Sequence, residues 1–361
     1  MDEGRHVDGL ETHFFTSLDY ADHPGWRRRA RLPGPEVQRH PSVGDEVRHF
    51  VGMLRGSLQA EVVLLQAHTG RFQPDLLVAV VLGLLPARRR PVVVLMGAMW
   101  QRDPGWRGLV QQTLVRRADR AVTLYAVQSS EELESFPATW RIPAGKTRLC
   151  LYFATTHQDE PGPWAQDCRH VFSGGDSHRD YDALLEVARH LPDRPLVLAT
   201  SLLDGRRDLP ANVTAGRVAP AEYDDLMRSS AAVVIPMTGG LTRAAGQQTY
   251  LNAMFFERPT IVRDSLGVRD HIRDGITGHV VDGSVDGYVR ALRAVLDDRR
   301  AKEVRRMCRA AADDVRKRFS FTAHTDRLLE IIDEAAATRD SVSPRRALRR
   351  RGRARPAPGD R

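Results

Sequence analysis

Cysteine is scarce in this chain: Cys150, Cys168 and Cys308 are the only three in 361 residues. Their wide spacing fits neither a disulfide framework nor a metal site. Long apolar runs are missing too. The longest, residues 76–85, is followed by Arg88, Arg89 and Arg90; it falls short of the roughly 20 apolar residues that cross a bilayer and reads as a buried helix. Met1-Asp2-Glu3 opens the chain with no apolar stretch behind it, so no signal peptide is expected and a cytoplasmic location is. No Asp-x-Asp pair stands at a strand end, which argues against a phosphate site built on a divalent metal.

The net charge of +8 is concentrated at one end. Residues 341–361 hold Arg345, Arg346, Arg349, Arg350, Arg351, Arg353, Arg355 and Arg361 against the single acid Asp360, so this stretch carries +7. With so few apolar side chains it cannot bury enough surface to fold, which predicts a disordered basic tail. Such a tail suits peripheral contact with an anionic membrane leaflet. The rest is nearly neutral and has no basic patch interleaved with aromatics, so specific nucleic-acid binding is not expected.

Strand and helix signals alternate through the first half. Strands are predicted over 13–18, 61–66, 91–96, 121–127 and 148–153, helices over 45–55, 75–85 and 106–119, and a Pro/Arg-rich loop over 24–41. This rhythm predicts a parallel sheet with helices on both faces. The polar stretch 156–164 reads as a linker. The expected organisation is therefore a first domain over 1–160, a second over 165–318, and a helix over 319–338, with Leu328, Leu329, Ile331 and Ile332 as its apolar stripe, returning to the first domain.

The region from Arg217 to Asp298 carries the most information. A helix start at Glu222-Tyr223-Asp224 leads to the apolar run Ala231-Ala232-Val233-Val234-Ile235-Pro236, read as a strand buried on both faces. The turn Thr238-Gly239-Gly240 follows. Then come Arg243, a helix opening at Gly246-Gln247-Gln248-Thr249, a Pro-bounded strand near Thr260 and a further Gly turn. Ligands of an open α/β sheet bind at the carboxyl ends of its strands. There Gly239, Gly240 and Gly246 let backbone N–H groups approach an anion, and the helix from Gln247 turns its positive end toward it. An earlier unit opens with Phe172-Ser173-Gly174-Gly175-Asp176-Ser177-His178-Arg179 ahead of a helix over 182–190.

Together these segments resemble the donor half of a GT-B glycosyltransferase of the retaining family 4 type. The resemblance implies an α/β fold of two Rossmann-like domains facing across a cleft. It implies transfer of a sugar from a nucleoside diphosphate to an acceptor hydroxyl, without a cofactor or a metal, the acceptor being a small molecule, a glycan or a lipid-linked compound. Arg179 stands where the family usually has Lys and keeps the phosphate-gripping role; Arg243 supplies the second charge, absent at Gly175-Asp176. Gly174, Arg217, Val218, Thr238 and Thr249 complete the implied donor site. In the family's Glu-x7-Glu pattern Ala244 and Asn252 replace both carboxylates. The Asn252 oxygen is left to accept from the ribose, and Gln247 and Gln248 to meet sugar or phosphate. Met96-Gly97 replaces a His-Gly pair, which makes His68 the candidate general base, with Trp100, Gln101, Arg102 and Asp103 on the acceptor side. Two alternatives stand beside this reading: a catalytically impaired GT-B protein serving as partner or scaffold, and a nucleotide-sugar epimerase, disfavoured by the missing carboxylates.

Overall fold

The computed structural model describes residues 11–33, 42–67, 73–97, 100, 102–156 and 161–342. His68, Gln101 and the arginine-rich tail lie outside the described residues. The chain divides into two compact units: Met1–Val127 with Trp140–Arg148 and everything from Thr325 on, and Gln128–Thr139 with Leu149–His324.

The first unit is a six-stranded sheet of β1 (Phe14–Thr16), β2 (Ala30–Arg31), β3 (Val62–Gln66), β4 (Val92–Met96), β5 (Val122–Val127) and β6 (Thr147–Leu149), in the order β2-β1-β3-β4-β5-β6. Strands β1 to β5 are paired in parallel. Every residue of β4 and the first four of β3 are buried, as strands covered on both faces must be. The helices are α1 (Pro24–Arg29), α2 (Val43–Gln59), α3 (Pro74–Leu84) and α4 (Gly105–Ala118). A capping box of Ser42 and Asp45 starts α2, satisfying donors that a helix start leaves open. Asp75, in the first turn of α3, accepts the Gln66 N–H at 2.8 Å and meets His49 Nε2 at 2.7 Å.

Two expectations need correction here. The segment 24–41, read as a loop, holds α1 and β2 in its described part: His23 Nδ1 caps the Trp26 N–H at 3.3 Å, and Trp26 is 1% exposed. Arg27, Arg28 and Arg29 hid that one buried anchor from a search for apolar periodicity. The strand expected over 148–153 pairs only as Thr147–Leu149. Beyond it, the Leu151 carbonyl is taken by His324 Nδ1 at 2.8 Å and the Ala154 N–H by the Phe319 carbonyl at 3.0 Å, so no ladder can continue.

The second unit contains β7 (Val171–Gly174), β8 (Leu196–Ala199), β9 (Val213–Gly216), β10 (Ala232–Ile235), β11 (Thr260–Arg263) and β12 (His279–Val281), all parallel, in the order β12-β11-β10-β7-β8-β9. A short helix, α5 (Glu132–Trp140), precedes it. Then come α6 (Tyr181–Arg189), α7 (Pro220–Arg228), α8 (Gln247–Phe255), α9 (Val285–Val295), α10 (Ala301–Arg318) and α11 (Phe321–Val342), which passes into the first unit at Thr325. One core joins Leu184, Leu185 and Leu292 on one side of the sheet; another joins Tyr250, Leu251 and Phe319 on the other. The chain runs outward from β7 through β8 to β9, then returns to place β10 on the other side of β7. That reversal opens a crevice at the carboxyl ends of β7 and β10.

All three cysteines are buried and none is joined in a disulfide, and no described helix is long and apolar enough to cross a membrane. In the first unit Gly56 of α2 lies against the Phe15 ring: a Cβ at Gly56 would stand 2.0 Å from the ring. Gly56→Ala should therefore lower stability by about 1–3 kcal/mol through overpacking, despite the roughly 1 kcal/mol that Ala gains in helix propensity. Chemical denaturation checks this; a variant as stable as the parent would mean that the ring yields freely.

Candidate functional site

The loops that follow β7 and β10 meet at one side chain. Arg179 and Met237 form an isolated antiparallel bridge, the Asp180 N–H donates to the Pro236 carbonyl at 2.7 Å, and the Thr238 N–H to the His178 carbonyl at 2.9 Å. Glycine is required for this closeness. A Cβ at Gly174 would fall 2.4 Å from the Tyr223 ring; one at Gly175, whose φ is +97°, 3.1 Å from Arg179 Nη2; one at Gly246, whose φ is +76°, 2.9 Å from Met237 Sδ. Gly246 is also the N-cap of α8, so the positive end of that helix opens beside the guanidinium.

Arg179 is 9% exposed and Arg243 is 8% exposed. Arg179 donates from Nε to the Gly174 carbonyl at 3.2 Å, from Nη1 to the Ser177 carbonyl at 2.7 Å and Met237 Sδ at 3.1 Å, and from Nη2 to Thr249 Oγ1 at 3.1 Å. Arg243 makes two long bonds of 3.3 Å, to the Ala244 carbonyl and Ser177 Oγ, and its buried Nε has no partner. Among the described residues neither guanidinium has a carboxylate within 4.0 Å. Burial lowers the pKa of both. A buried cation held only by neutral groups is costly unless an anion completes the site.

His178 feels the charge of both arginines. Its φ is +56°, a left-handed conformation that costs a non-glycine residue about 1–3 kcal/mol. Burial lowers its pKa, and the charges of Arg243 and Arg179 lower it further. Nearby, burial opposes the charge of Asp176, but hydrogen bonds from Ser201 and Thr200 outweigh it and hold the carboxyl below its usual range.

The other expected residues divide clearly. Thr249 touches Arg179, and Gly239 lies against the Arg263 guanidinium, 3.0 Å from where its Cβ would be. Thr238 is half-buried, and Gly240 and, in the first turn of α8, Gln248 are exposed. Gln247 is buried and donates to the Gln128 carbonyl at 3.0 Å. Arg217 is exposed and pairs with Asp204 at 3.2 Å, while Val218 packs on the core beside α8. Asn252 is 3% exposed, and its Oδ1 accepts the Thr155 N–H at 2.8 Å. In the first unit, Trp100 is no surface residue; it is 6% exposed and packs edge-on against Trp140. Asp103 is held by Gln111 Nε2 at 2.9 Å. Sequence reasoning missed Ser177, which binds both arginines, as well as Arg263 and Glu132. Only the serine, inside the Gly174–Arg179 loop, had a local signal. No group of acids, histidines and cysteines among the described residues could hold a metal.

Residues 187–298 match the family described as "Glycosyl transferases group 1". No curated protein matches the chain significantly. Among solved structures it is similar to HepE of Anabaena in complex with UDP, at 13% identity and a TM-score of 0.65 over 90% of this chain and 100% of that one. Sucrose-phosphate synthase of Thermosynechococcus elongatus gives 14% and 0.64 over 86% and 84%. A glycosyltransferase of Rickettsia africae gives 10% and 0.61 over 90% of each chain. At these identities the likeness shows the fold, which is that of GT-B glycosyltransferases.

An anion bound between the arginines should cancel the field at His178. Titrated by NMR, the His178 imidazole should have a pKa below 6.5 in the free protein and a higher one with a nucleoside diphosphate bound, so binding takes up a proton and this group strengthens affinity as pH falls. An unchanged His178 pKa in the saturated complex would place the phosphates elsewhere.

Proposed function

We propose that this protein is a retaining glycosyltransferase that takes a sugar from a nucleoside diphosphate and passes it to an acceptor hydroxyl without a metal. The observation that carries the reading is the pair of buried guanidinium groups, Arg179 and Arg243, with hydroxyl, carbonyl and thioether partners but no acid. A diphosphate supplies the missing charge, and the N-terminus of α8 adds its dipole. HepE, similar in fold, has been solved with UDP and with UDP-glucose, which supports a diphosphate donor here.

In the proposed step the acceptor oxygen bonds to the anomeric carbon as the bond from that carbon to the phosphate oxygen breaks, and the acceptor proton passes to the departing diphosphate. The negative charge that develops on the leaving group falls beside Arg179, Arg243 and the α8 N–H groups, so they stabilise the transition state more than the ground state. Neither Ala244 nor the engaged Asn252 offers a carboxylate nucleophile, which suits direct displacement from the leaving-group face.

Release of nucleoside diphosphate from a panel of nucleotide sugars tests this. One donor should be turned over equally with and without EDTA. Arg179→Met, which removes a buried unpaired charge, should weaken donor binding by roughly 1.5–3 kcal/mol while leaving the melting temperature unchanged or higher. Donor binding without turnover would favour the scaffold alternative; loss of activity in EDTA would overturn metal independence.

For a lipid-linked acceptor the protein would work peripherally at the cytoplasmic face of a membrane. Helix α4 supports this: Trp106, Leu109 and Val110 are 71%, 58% and 49% exposed, and the helix also carries Arg107, Arg116 and Arg117 and no acid. Apolar contact beside arginines is what an anionic leaflet attracts. Sedimentation with phosphatidylglycerol vesicles should exceed that with phosphatidylcholine, and should fall for Trp106→Ser and on truncation after Arg339. Equal sedimentation with both lipids would dismiss the membrane role.

A further inference from the structure

The Ala244 side chain is a methyl group, yet a carboxylate reaches its backbone. Glu132, at the start of α5 and 5% exposed, accepts the Ala244 N–H on Oε1 at 2.8 Å and the Gln128 N–H on Oε2 at 2.9 Å. Its neighbours are fixed to the same unit. The Glu131 carboxylate accepts the Gly267 N–H at 2.6 Å, Ser130 donates its N–H and O–H to Asp270 at 2.8 and 2.6 Å, and the Gln128 carbonyl accepts from Gln247 at 3.0 Å. A Cβ at Gly267 would lie 2.7 Å from that of Ser129 and 3.2 Å from that of Ala244. The segment 128–132 is thus clasped between the loop that bears Arg243 and the turn at Gly267.

We propose that Glu132 is a positioning residue of the donor pocket: it fixes the backbone at Ala244 and, through its charge, the guanidinium of Arg243. The inference rests on the donor reading above. Arg243 needs such a restraint because its own hydrogen bonds are long and its Nε is unpartnered. Glu132 is the acid whose charge acts on it against burial. The carboxylate itself is required. Each oxygen faces an N–H, so a glutamine would set its NH2 group against one of them and leave a buried donor unsatisfied. Glu132 does not touch the sugar on this account, since both oxygens are engaged and the side chain is buried. Burial raises its pKa while the N–H groups and Arg243 pull it down, so the restraint holds while the group is ionised.

The test is a double-mutant cycle on the full chain, read by calorimetric titration with UDP, ADP and GDP and followed with whichever binds tightest. Glu132→Gln should weaken binding about tenfold in the wild-type background and change it less than about twofold in Arg243→Ala. An equal loss in both backgrounds would mean a general structural role and overturn the proposal, as would unchanged or tighter binding in Glu132→Gln. If Glu132→Gln does not fold, Glu132→Asp, too short to hold both N–H groups, should show the same dependence on Arg243. Binding that Arg243→Ala weakens and neither Glu132 variant does removes this proposal alone. A wild type that binds none of the three diphosphates removes the donor reading and this inference with it.

Discussion

Two buried guanidinium groups with no carboxylate in direct contact among the described residues set the terms for the rest of the second unit. Taking a charged side chain out of water costs several kcal/mol even after relaxation, and Arg179 and Arg243 receive in return only carbonyl, hydroxyl and sulfur contacts. The fold must hold them there with stability gained elsewhere. It does so with two cores of fully buried aliphatic and aromatic side chains on either side of a parallel sheet.

Geometry follows from topology. Because β10 returns to the opposite side of β7 from β8, the loops after β7 and β10 leave adjacent strands at their carboxyl ends, where they bridge to one another. Arg179 belongs to one loop and Arg243 to the other, and Ser177 binds both, by its carbonyl and its hydroxyl. The left-handed backbone at His178 and the close approaches at Gly174, Gly175 and Gly246 bring the loops this near. Any side chain at Gly175 or Gly246 would strain the backbone and crowd Arg179 or Met237.

Most strands and helices were legible in the sequence, because buried parallel strands are unbroken β-branched runs and their helices carry apolar stripes. The meeting of Arg179, Arg243 and the glycines was legible because each loop is local: its turn residues, its cation and the helix it opens follow one another in the chain. What escaped was set by distance in sequence. The Asn252 amide oxygen accepts from the backbone of Thr155, 97 residues away. Glu132 reaches Ala244 across 112 residues, which no spacing rule encodes. Trp100, an aromatic after a strand, looked like a surface for ligands until Trp140 was seen to cover it. Helix α1 was lost because its buried face is mainly one tryptophan among arginines.

A crystal soaked with a nucleoside diphosphate tests most directly whether the arginine pair binds a diphosphate. The account predicts phosphate oxygens within hydrogen-bond distance of both Arg179 and Arg243, with the Arg243 Nε now partnered and the second phosphate at the N-terminus of α8. Phosphates bound away from these loops, or the two guanidinium groups found paired with carboxylates of the protein itself, would contradict it.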